Sequence, residues 1–155
     1  MKELFFYNWD ARDEWFELLS RLPHDELVRE RTGGVGSMLK TLFHIVDVEY
    51  SWIQVVRGGS VIDPDYEDYN RLDLVRDLSN EYRADMKPFI SAWSSDKDYE
   101  ETMVPWLGRK LYAGEILRHV IAHEIHHIGQ LSIWAREIGE KPVSANFIDK
   151  GLLDR

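Results

Sequence analysis

Four of the chain's six histidines stand within one short stretch, HVIAHEIHHIGQL, from His119 to Leu131. They are His119, His123, His126 and His127. No proline interrupts the run from Ala113 to Ile138, and Leu, Ile and Ala dominate it, so the run reads as one long helix. At about 100° per residue the four imidazoles fall on a stripe roughly a quarter-turn wide. His123 and His127 lie four residues apart, one above the other, a spacing that lets two rings hold one metal ion. The remaining ligand must come from another helix. His44 is the candidate, because an imidazole between Phe43 and Ile45 in LFHIVDVEY is costly to bury unless something ligates it or takes its proton. Three imidazoles leave an open position, which keeps a water or a substrate on the ion. Asp47, Glu49 and Glu124 are candidate acceptors for the outer ring N–H groups. His119 and His126 share the stripe as supporting, exposed or proton-transferring groups.

Other readings of the same residues compete. His123, Glu124 and His127 satisfy H-E-x-x-H, in which two ligands share a helical face and the Glu serves as general base of a zinc peptidase. The fuller peptidase pattern needs Gly three residues after the second His, whereas Gly129 comes after two. Such enzymes also align peptides on an edge strand, and this chain offers at most one short hairpin. A helix of neutral, hydrogen-bonded histidines is the plainer alternative, but four in nine residues would each demand polar partners. The loop GGVGS lacks a preceding strand and a following GK[ST], so it reads as a turn and a helix cap rather than a phosphate cradle. The acidic run DPDYEDY reads as a solvated loop and His24 as surface.

The elements that must position these groups are helical. Residues 4–21 carry apolar side chains at spacings of three and four, with Asp10, Arg12, Asp13, Glu14 and Glu17 between them, and Pro23 ends the segment. A polar connection follows, and Ser37 is placed to cap a second helix over Met38–Val56, stopped by Gly58-Gly59. A third helix is expected over Asp73–Ala92, kinked or shortened by Pro88. Residues 99–112 break the helical pattern and suggest a short hairpin or irregular segment about Leu107-Gly108. The fourth helix ends at Gly139, before Lys141-Pro142, and the tail from Val143 to Arg155 is expected to add a short helix around Phe147–Leu152. The whole, 1–155, reads as a single all-α domain of four helices about one core.

Composition narrows the partners. There is no cysteine, so disulfides and thiolate ligands are excluded and any metal must be held by nitrogen and oxygen. A formal net charge of −9 argues against nucleic acid, which demands a basic stripe. No secretory leader pattern opens the chain and no apolar run approaches about 18 residues, so no membrane span is expected and the protein is read as soluble and cytoplasmic. Six Trp and seven Tyr exceed what a four-helix core of this length buries, which points to an apolar patch and a homodimer.

Three stretches together resemble the DinB family of small metal-binding bundles. They are the aromatic opening FFYNWDARDEWFELLSRLP, then SMLKTLFHIVDVEYSWI with one His before an acidic-aromatic patch, and above all HEIHHIGQLSIWAREIG. The resemblance implies an up-down-down-up four-helix bundle, a divalent ion such as zinc or nickel held by His44, His123 and His127, and frequently a homodimer. It also implies kinship with thiol-dependent S-transferases and isomerases, although many members have no known substrate. The leading functional expectation is a metal-dependent enzyme for a small-molecule substrate, either a hydrolase or a transferase using a low-molecular-weight thiol. A non-catalytic, metal-stabilised dimeric bundle is the alternative. If the site is catalytic, the 99–112 segment would fold over its opening. Trp106 and Tyr112 would then line the pocket, with Arg109 clamping a carboxylate; otherwise the segment merely covers the core and Arg109 is solvated.

Overall fold

A computed structural model of the chain describes residues 1–154. Among the described residues there are five α-helices: α1 (Lys2–Leu19), α2 (His24–Val28), α3 (Met38–Arg57), α4 (Leu72–Ser91) and α5 (Ala113–Glu137). Strands β1 (Glu101–Val104) and β2 (Arg109–Tyr112) form an antiparallel hairpin before α5. No helix among the described residues is long and apolar enough to cross a membrane.

Contacts between the four long helices give their directions. Asn8 and Arg12 of α1 reach Ile121 and Glu124 of α5, so these two run parallel. Asp13 and Glu17 of α1 meet Arg83 and Arg76 of α4, with the order reversed. Tyr50 and Arg57 of α3 meet Tyr82 and Asp85 of α4 in the same order. His44 and Trp52 of α3 meet His123 and His119 of α5 in opposite order. The topology is up-down-down-up, and the long 58–71 connection carries the chain between parallel α3 and α4.

Local chemistry sets the ends. The Ser37 hydroxyl accepts from Lys40 N at 3.2 Å and starts α3, while Gly58, at φ +70°, ends it in a conformation that side chains resist. Tyr66 and Tyr69 of the acidic connection pack on Phe43, leaving the carboxylates of Glu67 and Asp68 outside. Val104 is fully buried with Val55 and Ile116, which pins the hairpin against α3 and α5.

Two expectations are corrected. The polar connection contains α2, whose first turn carries Asp25 and Glu26 and whose Leu27 is buried in the core. α4 ends at Ser91, close to the expected Ala92, with Pro88 inside its last turn, and burial of Met86 and Ile90 holds that turn against the core. The tail forms a 3₁₀ turn at Leu152–Asp154 rather than a helix at 147–152, since Asp149 and Gly151 both take positive φ; Arg155 lies outside the described residues.

The core is mostly Trp, Phe, Leu, Ile and Val, including Trp15, Phe16, Leu42, Ile53 and Leu131. At its middle lies a charge. Arg12 falls on the apolar stripe of α1, and its side chain is only 1% exposed. Its Nε and Nη2 donate to the two oxygens of Glu124 at 2.8 and 2.6 Å. Nη2 also pairs with Glu49 at 2.8 Å, and Nη1 donates to Ser79 at 3.3 Å. Trp9 Nε1 donates to the other oxygen of Glu49 at 2.8 Å. One guanidinium thus touches α3, α4 and α5 from α1. Burial holds the Glu49 carboxyl above the usual carboxylate range, against the opposing pull of Arg12.

Truncating Arg12 alone strands two buried carboxylates, so Arg12→Leu is expected to cost about 3–5 kcal/mol in urea unfolding. A triple variant, Arg12→Met with Glu49→Leu and Glu124→Leu, should recover most of that loss. Equal stability of wild type and Arg12→Leu would remove the network from the core's energetics.

Candidate metal centre

His44 projects from the second turn of α3, and His123 and His127 from the middle of α5. Because α3 and α5 pack antiparallel, the three rings converge. His123 Nε2 lies 3.1 Å from His44 Nε2 and 3.1 Å from His127 Nε2. Bonds of about 2.0–2.1 Å to one tetrahedral ion would set ligand nitrogens about 3.3 Å apart, close to this spacing. These three form a group whose nitrogens could hold one metal ion. Burial lowers the pKa of all three rings, and the neighbouring rings His127 and His44 help push His123 down to about 3. They are therefore neutral, the form that ligates.

The tautomer of His127 is fixed from outside. Its Nδ1–H donates to Gln130 Oε1 at 2.8 Å, which leaves the Nε2 lone pair facing the other two rings. The Gln130 amide Nε2 in turn reaches His126 Nε2 at 3.3 Å. The glycine loop passes close to Gln130. A Cβ on Gly34 would stand 2.5 Å from Gln130 Oε1, and Gly34 has φ +56°. Arg31 ties this loop to Glu26 of α2 and Glu137 of α5, so the approach is fixed rather than incidental.

The sequence-expected residues separate into groups. Glu49 and Glu124 spend their hydrogen bonds on Arg12 and Trp9, not on an imidazole. Glu124, gripped at both oxygens and 1% exposed, is sealed away from the role of general base that H-E-x-x-H would give it. Asp47 accepts from Ser51 at 3.4 Å and is pushed up to about 6 by burial and by Asp63. His119 is exposed, its ring 5.9 Å from that of His123 and edge-on to Trp52 at 5.4 Å. Trp106 also meets Trp52 edge-to-face, at 4.8 Å. Tyr112 packs on Tyr99, and Arg109 is exposed at the start of β2. Sequence reasoning missed Gln130 and Arg12. Gln130 had a signal, standing three residues past His127 on the same face, and so had Arg12, a lone charge among the apolar positions Trp15, Phe16 and Leu19.

Comparison with known proteins places this geometry in a family. The DinB family model matches residues 1–151. The uncharacterized protein YizA of Bacillus subtilis strain 168 is 48% identical over 153 residues, covering 98% of this chain and 96% of the relative. A DinB-like protein from Bacillus cereus ATCC 10987 has a similar solved structure, with TM-score 0.66 and 18% identity over 92% of this chain and 93% of that one. The DinB-like YjoA of Bacillus subtilis is likewise similar, at TM-score 0.66, 18% identity, and coverage of 92% and 94%. At that identity the two structures bear on the fold alone.

If Gln130 sets the His127 tautomer, Gln130→Leu should weaken zinc binding about 10- to 100-fold by competition titration. Gly34→Ala, which must displace the same amide, should weaken it in the same direction. His44→Ala should lose most of the metal while keeping its helical circular dichroism. Full metal retention in that last variant would assign the third ligand elsewhere.

Proposed function

The chain belongs to the DinB family, and we propose that it works as a divalent-metal-dependent enzyme on a small molecule, either a hydrolase or a transferase of a low-molecular-weight thiol. The observation that carries this is the convergence of three neutral imidazole nitrogens, contributed by two helices, at a place solvent still reaches. His44 and His123 are only half-buried, whereas a purely structural site would close around its ligands. Zinc and nickel suit a set of imidazoles. A divalent ion held there supplies Lewis acidity that makes a water or thiol nucleophilic at neutral pH. The chain has no cysteine, so a thiol nucleophile must arrive as a free molecule.

The protein's own residues supply the rest. His44, His123 and His127 hold the ion, Gln130 fixes the orientation of His127, and exposed His119 is placed to carry a proton beside His123. Glu124 takes no part, being committed to Arg12. The outward face of α5 exposes Ala122, Ile125, Gly129 and Ile133, a strip that fits a second copy of the chain, and we read the protein as a homodimer.

Zinc- or nickel-loaded protein is expected to turn over at least one of ester, amide or thiol-conjugation substrates. That turnover should vanish with chelator, and His119→Gln should slow it about tenfold or more at equal metal content. Absence of turnover in every class would favour an ion that serves only to tie α3 to α5. Light scattering at micromolar concentration should return a dimer mass, and Ile133→Glu a monomer; a monomeric wild type would refute the pairing.

A further inference from the structure

We propose that the substrate carries a long apolar tail, and that Trp52 and Trp106 lead this tail from the imidazoles into a trough beneath the hairpin turn. The inference rests on the metal-dependent reading above and adds the substrate's chemical class to it.

Aromatic rings run in an unbroken path away from the site. The His119 ring lies 5.9 Å from His123, Trp52 lies 5.4 Å from His119, and Trp106 lies 4.8 Å from Trp52. Both Trp contacts are edge-to-face, the favoured geometry for an aromatic pair. Beyond Trp106 opens a trough of about 560 Å³, walled by Val55, Val61, Met103, Pro105 and Trp106 and floored by Gly58-Gly59. No ionisable side chain lines it among the described residues, so a charged tail would meet no partner there.

The walls of this trough are unusually exposed for apolar side chains. Met103 is 54% exposed, Trp106 46% and Val61 41%. They come from two separate elements, the hairpin and the α3–α4 connection, and the connection is tied to α3 by Ser51 Oγ, which donates to Ile62 O at 3.4 Å. Val104 is buried between α3 and α5, and Gly108 N and Leu107 N both donate to Val104 O, at 3.0 and 3.1 Å. The trough is thus a formed surface rather than a loose loop. A ligand with a polar, metal-seeking head at the imidazoles and an alkyl or aryl tail on Trp52, Trp106 and Met103 satisfies both ends. The chain of ring contacts that links Trp106 through Trp52 and His119 to His123 favours this occupant over a second protein copy.

The test uses full-length protein loaded with zinc, its stoichiometry fixed first by titration calorimetry. Binding of straight-chain hydroxamates, from acetohydroxamate to dodecanohydroxamate, is then followed by calorimetry and tryptophan fluorescence. Affinity is expected to rise roughly two- to fourfold per methylene along the longer members. In Trp106→Ala the loss of affinity should grow with chain length at unchanged zinc stoichiometry. Met103→Glu, a substitution at an exposed position, should do the same without touching an aromatic ring. A flat series on zinc-loaded protein overturns the proposal while leaving the metal reading intact. So does an equal loss for all lengths in both variants, or a dimer interface that buries Trp106. Failure to bind zinc or nickel at all overturns the metal reading, and the tail site falls with it.

Discussion

The buried guanidinium of Arg12 constrains everything else in this molecule. An ion removed from water costs several kcal/mol, and only well-formed partners offset that. Here the partners come from every other long helix: Glu124 of α5 holds two of its nitrogens, Glu49 of α3 a shared one, and Ser79 of α4 a third. Sliding any helix by one turn, about 5.4 Å, would leave a charge in the core without a counterpart. Apolar side chains tolerate such slips far better, because their attraction has no direction. The network therefore fixes the relative register of four helices that hydrophobic packing alone would leave looser.

The histidine site inherits that register. Glu124 follows His123 directly, and Glu49 stands five residues after His44. Fixing those two carboxylates against Arg12 fixes the height of α3 relative to α5, which is what brings ring nitrogens 79 residues apart in sequence to 3.1 Å. The fine adjustment comes from the opposite side, where Gly34 leaves room for Gln130 and Gln130 orients His127. Core and surface thus set different variables, the first the spacing of the ligands and the second the direction of one lone pair.

Much of this was legible in the sequence. The long helices announced themselves through apolar spacing, Ser37 and Gly58 through their cap chemistry, and the hairpin through the break in helical period before Ala113. The closeness of His44 to His123 and His127 could be read from which histidines sat on helical faces. The destinations of the carboxylates could not. H-E-x-x-H invites Glu124 towards the metal, and helical geometry alone places it only about 60° round from His127, a separation that the position of a neighbouring helix decides. Arg12 showed itself on an apolar stripe, but α1 contains four other charged residues nearby, and only packing reveals which one turns inward. The Gly34 contact depends on tertiary approach and leaves no trace in local spacing.

The dependence of both Arg12 and His44 on α5 has a bearing on how the chain is made. Glu124, His123 and His127 all reside in the last long helix, 112 residues beyond Arg12 and 79 beyond His44. While synthesis proceeds, α1 can meet α3 and α4, but its guanidinium then has only one of its two carboxylates and a solvent-facing seam where α5 will lie. Completion of the core and completion of the ligand set are therefore a single event, the docking of α5. Before α5 docks, His44 offers a single imidazole, and the three-ring cluster exists only once the last long helix is in place.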